Sequence, residues 1–284
     1  MNKTALLFPG QGAQYAGMGK DFSDLEGVLA AAGEIVGFDV KKMCFEGTAE
    51  ELAQTRVSQP CIMACSLAAF YDFVADGGEF SAVAGHSLGE YAAMVAAEIV
   101  SLDDGFRLIK ARSEAMQKAA ESASGAMYAI IGLAADEVEK ICSETDGYVV
   151  PVNYNSPVQT VIAGETPAAE AAAAKFAELK AKTIKLGVSS AFHSKLMQPA
   201  ADEFYEFAKT IEYRAPKVKF FSNVLGDELL DFSSMPEMLA KHIVSPVRFS
   251  AEIERLSALG YTSFNETGPG KVLTGLVKKT IKGK

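Results

Sequence analysis

Phe80-Ser81-Ala82-Val83-Ala84-Gly85-His86-Ser87-Leu88-Gly89-Glu90-Tyr91 decides the fold class. Residues 80–84 are mostly apolar and fit a short buried strand, while 88–97 are rich in alanine and fit a helix. Between them Gly85-His86-Ser87-Leu88-Gly89 forms the G-x-S-x-G pattern of a nucleophile elbow. So tight a turn leaves no room for side chains at its flanks, which Gly85 and Gly89 answer, and it lifts the serine over the sheet edge. The helix start leaves the Leu88 N–H free to meet negative charge on a carbonyl oxygen attacked by Ser87. The motif by itself also suits a small residue in a tight connection; the strand before it and the helix after it favour a nucleophile.

The same alternation extends along the chain. Residues 4–8 form another apolar strand, which enters the glycine-rich loop Pro9-Gly10-Gln11-Gly12-Ala13-Gln14, where the Gln11 amide could supply a second oxyanion donor. Helices are expected over much of 21–73, with Pro60 near the start of one over 61–73, and over 102–120. From Ala126 the order becomes strand (127–131), helix (136–145), strand (148–153), strand (160–163), helix (167–179) and strand (183–188). That is the βαββαβ order of a ferredoxin-like unit. A helix (194–213), a strand (218–222), two helices (236–243 and 250–259), a strand (261–265) and a helix (271–282) follow. The expected architecture is α/β: a large α/β-hydrolase-like domain with a parallel sheet, built from 1–124 and 190–284, plus a small ferredoxin-like subdomain over 125–189.

Composition narrows the function classes. The 284 residues are 49% hydrophobic and 22% charged, the profile of a folded globular protein. A net charge of -9 repels nucleic acid and anionic membranes, so neither is expected as a partner. Cys44, Cys61, Cys65 and Cys142 lack paired metal-ligand spacing; Cys61 and Cys65 read as small buried residues on one helix face, with no disulfide and no zinc. The apolar N-terminal run is too short for a signal peptide, and the long uncharged stretch 147–164 is broken by Pro151, Pro157 and several asparagines. A cytoplasmic, monomeric protein is expected.

A serine hydroxyl needs a base, and three histidines exist. His86 adjoins the serine in a turn where neighbours point apart, so it is assigned to the pocket wall. His242, beside Lys241, reads as a surface or helix-end histidine. His193 lies in a small-residue loop before a helix and is the candidate base. Asp136 and Asp146 stand between Ser87 and His193 but belong to the inserted unit, so no acidic third member is visible. A backbone carbonyl could orient the imidazole, giving a Ser-His dyad. On the helix from Leu102, Arg112 falls within the apolar stripe of Leu108, Ile109, Ala115, Met116 and Ala119. A buried guanidinium requires an anion: a carboxylate of the protein is the commoner answer, and a substrate carboxylate the alternative.

These residues resemble the malonyl-CoA:acyl carrier protein transacylases, relatives of polyketide synthase acyltransferase domains. The resemblance spans nearly the whole chain, through Phe8-Pro9-Gly10-Gln11-Gly12, Gly85-His86-Ser87-Leu88-Gly89-Glu90-Tyr91, Arg112 with Gly125-Ala126-Met127, Asn153-Tyr154-Asn155-Ser156-Pro157, Phe192-His193-Ser194, Ser245-Pro246-Val247-Arg248 and Gly268-Pro269-Gly270-Lys271-Val272-Leu273. It implies Ser87 as nucleophile, His193 as base, Arg112 as ligand of the malonyl carboxylate, the Gln11 and Leu88 amides as oxyanion hole, and the Arg248 carbonyl as the group that orients His193. Asn155 is implied near the pocket, and Phe192 resembles the malonyl-selective pattern, although Ser190 replaces its first histidine. The implied reaction is ping-pong transfer of malonyl from coenzyme A to the pantetheine thiol of acyl carrier protein in fatty acid biosynthesis, with no metal or redox cofactor. A polyketide-pathway transferase, a serine hydrolase and a non-catalytic docking subunit are the alternatives. An acidic carrier would dock on lysines, either Lys180, Lys182 and Lys185 or Lys278, Lys279 and Lys282. Gly10-Gln11-Gly12-Ala13-Gln14-Tyr15 lacks the third glycine of a dinucleotide fingerprint, and Gly268-Pro269-Gly270-Lys271 lacks phosphate-loop spacing.

Overall fold

The computed structural model describes residues 3–282 except 24, 123 and 189. The expected boundary at residue 189 lies outside the described residues. The chain begins with β1 (Lys3–Phe8), α1 (Leu25–Val36), α2 (Val40–Glu46), α3 (Ala49–Ala53), α4 (Thr55–Ala75), β2 (Ala82–Gly85), α5 (Gly89–Ala96) and α6 (Leu102–Ser122). It continues through β3 (Ala126–Ile131), α7 (Ala135–Ser143), β4 (Val149–Ser156), β5 (Gln159–Gly164), α8 (Thr166–Glu178) and β6 (Lys182–Lys185). The remainder comprises α9 (Gln198–Ala208), β7 (Lys219–Ser222), β8 (Asp227–Glu228), α10 (Met235–Val244), α11 (Phe249–Ala258), β9 (Tyr261–Glu266) and α12 (Val272–Lys282).

The large sheet has the order β8-β7-β2-β1-β9, parallel except for the short edge strand β8. Alternation along its strands divides the core in two. Leu6, Phe8 and Val83 pack into the cluster beneath α1, α4, α5, α6 and α9, whereas Ala5, Leu7, Ala82 and Ala84 face Phe249, Ile253, Leu273 and Leu276 of α11 and α12. Among the described residues α4 is the one helix long and apolar enough to cross a membrane. It is a core helix, packed against α1, α2, α3, α5 and α6.

The small sheet, β4-β5-β3-β6, is antiparallel throughout and has the ferredoxin-like order. On β3, Ala126, Tyr128 and Ile130 pack under α7 and α8 with Val138, Ala172 and Phe176, while Met127 and Ala129 turn towards the large body. One junction carries β4 onto that body: the Val247 N–H donates to the Val152 carbonyl at 2.8 Å, and the Tyr154 N–H donates to the Val247 carbonyl at 2.8 Å.

Some elements differ from expectation. α4 starts at Thr55, so Pro60 sits inside the helix and not in its first turn, leaving the Arg56 carbonyl without a helical donor. The helix expected over 194–213 is α9, shorter at both ends, with Pro199 in its first turn and a single 3-10 turn before it. β6 ends at Lys185, and Leu186 and Val188 become cleft wall.

Candidate active site

The elbow is held by backbone contact. A Cβ on Gly85 would lie 2.1 Å from the Glu90 amide nitrogen, and one on Gly89 would lie 2.0 Å from the Phe8 carbonyl oxygen, both impossible distances. Ser87 adopts a left-handed backbone with φ 53°, a conformation costly for a residue bearing a Cβ. The turn presents Ser87 Oγ 2.7 Å from His193 Nε2. His193 is also left-handed, at φ 61°, and it is buried. Its Nδ1–H donates to the His242 carbonyl at 3.1 Å, which leaves Nε2 with a lone pair facing the serine. Burial, reinforced by the Arg112 charge, pulls the imidazole down to about 3, so it stands neutral, a weak base whose Nε2 lone pair accepts the Ser87 hydroxyl.

Two expectations about this base are corrected. The carbonyl that orients His193 belongs to His242 and not to Arg248, whose carbonyl accepts the Glu252 N–H at 3.2 Å in the first turn of α11. His242 itself is fully buried, its ring among Glu90, Asn223 and His193 beneath the elbow. Its Nδ1 lies 3.2 Å from Glu90 Oε2 and its Nε2 3.2 Å from Asn223 Oδ1.

Arg112 is fully buried on α6. Its Nη1 donates to Gln59 Oε1 at 2.7 Å, and its Nη2 donates to Ser87 Oγ at 3.1 Å. The guanidinium carbon lies 5.4 Å from the centre of the Tyr91 ring. No carboxylate of the described residues forms an ion pair with it, and its Nε has no hydrogen-bond partner among them. Burial lowers its affinity for the proton, opposed by Tyr91 and by Glu90 at longer range. A buried guanidinium thus lies beside Ser87 Oγ, and no counter-ion for it is supplied among the described residues.

A cleft of about 240 Å³ opens over these groups between the two sheets. Met116, Met127, Ala129, Val161 and Phe192 give it an apolar wall, and Gln11, His86 and Asn155 contribute polar groups. His86 Nε2 and Asn155 Oδ1 are 2.7 Å apart, tying the elbow to β4. The amides of Gln11 and Leu88 take no intramolecular hydrogen bond among the described residues. Ser87, His193, Arg112, Gln11, His86, Asn155 and Phe192 therefore converge; Arg248 stands behind the wall, its guanidinium 5.9 Å from the Tyr154 ring. No group of metal-ligating side chains occurs among the described residues.

Residues 5–284 match the sequence model described as the acyl transferase domain. The chain belongs to the acyl transferase family. A malonyl CoA-acyl carrier protein transacylase of Bacillus subtilis is 40% identical, over 98% of this chain and 90% of the relative. The crystal structure of a malonyl-CoA:acyl carrier protein transacylase from Xanthomonas oryzae superposes with a TM-score of 0.94 at 36% identity, covering 99% of this chain and 92% of that one. A malonyl-transacylase solved in complex with its type II polyketide-synthase acyl-carrier protein has the same TM-score and identity, covering 99% and 93%. Within this acyltransferase, sequence reasoning missed Gln59, Asn223, Glu90 and Glu252. All are polar and buried; a glutamine directly before Pro60 inside an apolar helix was the one visible signal.

Proposed function

We infer that this acyltransferase moves malonyl from malonyl-CoA to the pantetheine thiol of an acyl carrier protein, through an acyl-enzyme on Ser87, in fatty acid biosynthesis. The observation that carries the reading is Arg112: a fully buried guanidinium, 3.1 Å from Ser87 Oγ, with no carboxylate partner among the described residues. A malonyl group places a carboxylate two carbons from its thioester carbonyl. Arg112 can take that carboxylate while Ser87 reaches the carbonyl carbon.

In the first half-reaction His193 Nε2 takes the Ser87 proton as Oγ bonds to the thioester carbon. Charge on the carbonyl oxygen meets the Gln11 and Leu88 amides. The tetrahedral adduct collapses, the carbon–sulfur bond breaks, and the coenzyme A thiolate takes the proton from His193. In the second half-reaction the carrier's thiol gives its proton to His193 and attacks the ester; Ser87 leaves and recovers the proton. These steps need no metal or redox cofactor. The Phe192 ring narrows the acyl site against a branched malonyl. The cytoplasm is the compartment that fits, since all four cysteines are buried free thiols.

Intact-mass spectrometry after mixing with malonyl-CoA tests the reading. The expected result is one malonyl adduct on the native chain, none on Ser87→Ala, and loss of the adduct on adding holo carrier protein. Rapid release of free malonate without a persistent adduct would assign the chain to hydrolysis instead.

A further inference from the structure

We propose that Asn223 is the positioning residue for both members of the Ser87–His193 pair. This rests on the reading of those two as nucleophile and base. Asn223 follows β7 and is fully buried beneath the elbow. Its Oδ1 accepts the Ser87 N–H at 2.7 Å, and its Nδ2 donates to the Gly85 carbonyl at 2.6 Å. One carboxamide therefore grips the backbone on both sides of His86, at the turn where Ser87 is forced left-handed. A conformation of that kind persists when its surroundings over-determine it.

The same carboxamide reaches the base. His242 Nε2 lies 3.2 Å from Asn223 Oδ1, and the carbonyl of His242 receives the His193 Nδ1–H. The Asn223 backbone is pinned as well: its N–H donates to Glu90 Oε1, and its carbonyl accepts the Arg248 N–H at 3.0 Å. Glu252 Oε1 accepts the second Nδ2 hydrogen at 2.8 Å. Both amide hydrogens and both lone pairs of the side chain are occupied, a set that only a carboxamide offers. An aspartate would keep the acceptors and lose both donors; an alanine would lose all four.

Protonation states support this arrangement. Burial raises the Glu90 carboxyl to about 8 and holds His242 well below the usual histidine range. Glu90 Oε2 lies 3.2 Å from His242 Nδ1 without forming a hydrogen bond, and a neutral imidazole that carries its proton on Nε2 donates to Asn223 Oδ1.

The test compares native chain, Asn223→Ala and Asn223→Asp by rapid-quench malonylation from malonyl-CoA, by the pH dependence of kcat/KM, and by thermal unfolding. Misplacing reacting groups by about an ångström lowers rates about 100-fold. Both variants should therefore lose about that much in acylation rate, with KM for malonyl-CoA changed less than about twofold, since the Arg112 contact lies outside the network. A loosened His193 should also move the acid limb of the profile upwards, towards the ordinary histidine range. An aspartate variant that folds, acylates at the native rate and keeps the native acid limb would overturn the proposal, as would losses of kcat that only track the folded fraction. A native chain that takes no malonyl would sink the underlying reading along with it, whereas a malonylated native chain beside an equally fast variant sinks the positioning role alone.

Discussion

In the function proposed above, Arg112 would turn a general acyl-transfer site into a selective one. Its guanidinium is buried among neutral partners, so the ionised state is fully compensated only when a carboxylated acyl group enters. It also acts on the base, because its charge is the second cause, after burial, of the depressed His193. On that proposal a malonyl carboxylate would offset the charge and strengthen His193 as a base when the substrate arrives, and acetyl would not. Arg112→Ala should lower kcat/KM for malonyl-CoA by about 1000-fold, equivalent to ~4 kcal/mol, while acetyl transfer persists or rises. Its acid limb should also move upwards, since a neighbouring positive charge has gone. Equal losses for both thioesters would defeat the assignment. Ser87, His193 and Arg112 were all legible before the structure, because each breaks a local pattern: a serine between glycines, a histidine among small residues, a cation inside an apolar stripe. The carbonyl that holds His193 was not legible. Any residue can supply a carbonyl, so neither the His242 side chain nor its place beside Lys241 marked it, and the role fell wrongly to Arg248.

At the level of elements, the elbow works because β2 and α5 meet with no side chain between them and β1. Gly89 is the tightest point, its missing Cβ 2.0 Å from the carbonyl oxygen of Phe8, which also accepts the His86 N–H at 2.9 Å. Gly89→Ala should push α5 off β1, destabilise the fold by ~3 kcal/mol and carry Ser87 Oγ out of reach of His193. Chemical denaturation and the malonylation rate read the two effects; a variant as stable and as active as the native chain would refute the account. Strands buried on both faces and helices with an apolar stripe were readable from residue spacing alone. Pro60 misled because proline favours a first helical turn, yet α4 gains enough from burial along its length to run through it. β8 spans two residues, too few for any period to appear.

The whole molecule sets two bodies around one cleft, and the junction between them shows where local reading ends. The βαββαβ order of the insert was visible, whereas the bridge from β4 to Val247 joins segments nearly a hundred residues apart and leaves no pattern in either. Charge is distributed on the same scale. With a net charge of -9 the chain repels an acidic carrier protein over most of its surface, so approach must be guided by a local basic rim. α12 is placed for this: Val272, Leu273 and Leu276 line the cleft, and Lys279 reaches across its mouth to Gln159 Oε1 at 3.1 Å. Lys278, Lys279 and Lys282 form no ion pair with a carboxylate among the described residues, whereas Lys185 on β6 is paired with Glu170 at 3.1 Å. Lys279 thus carries a charge unpaired by any described carboxylate at the entrance, whereas Lys185 of β6 does not. Lys279→Glu should raise KM for the carrier protein about tenfold at low ionic strength and spare malonylation by malonyl-CoA. The difference should shrink as salt shortens the Debye length to below about 10 Å. Equal losses in both half-reactions would assign Lys279 to the phosphates of coenzyme A, and no loss in either would move the docking surface off α12.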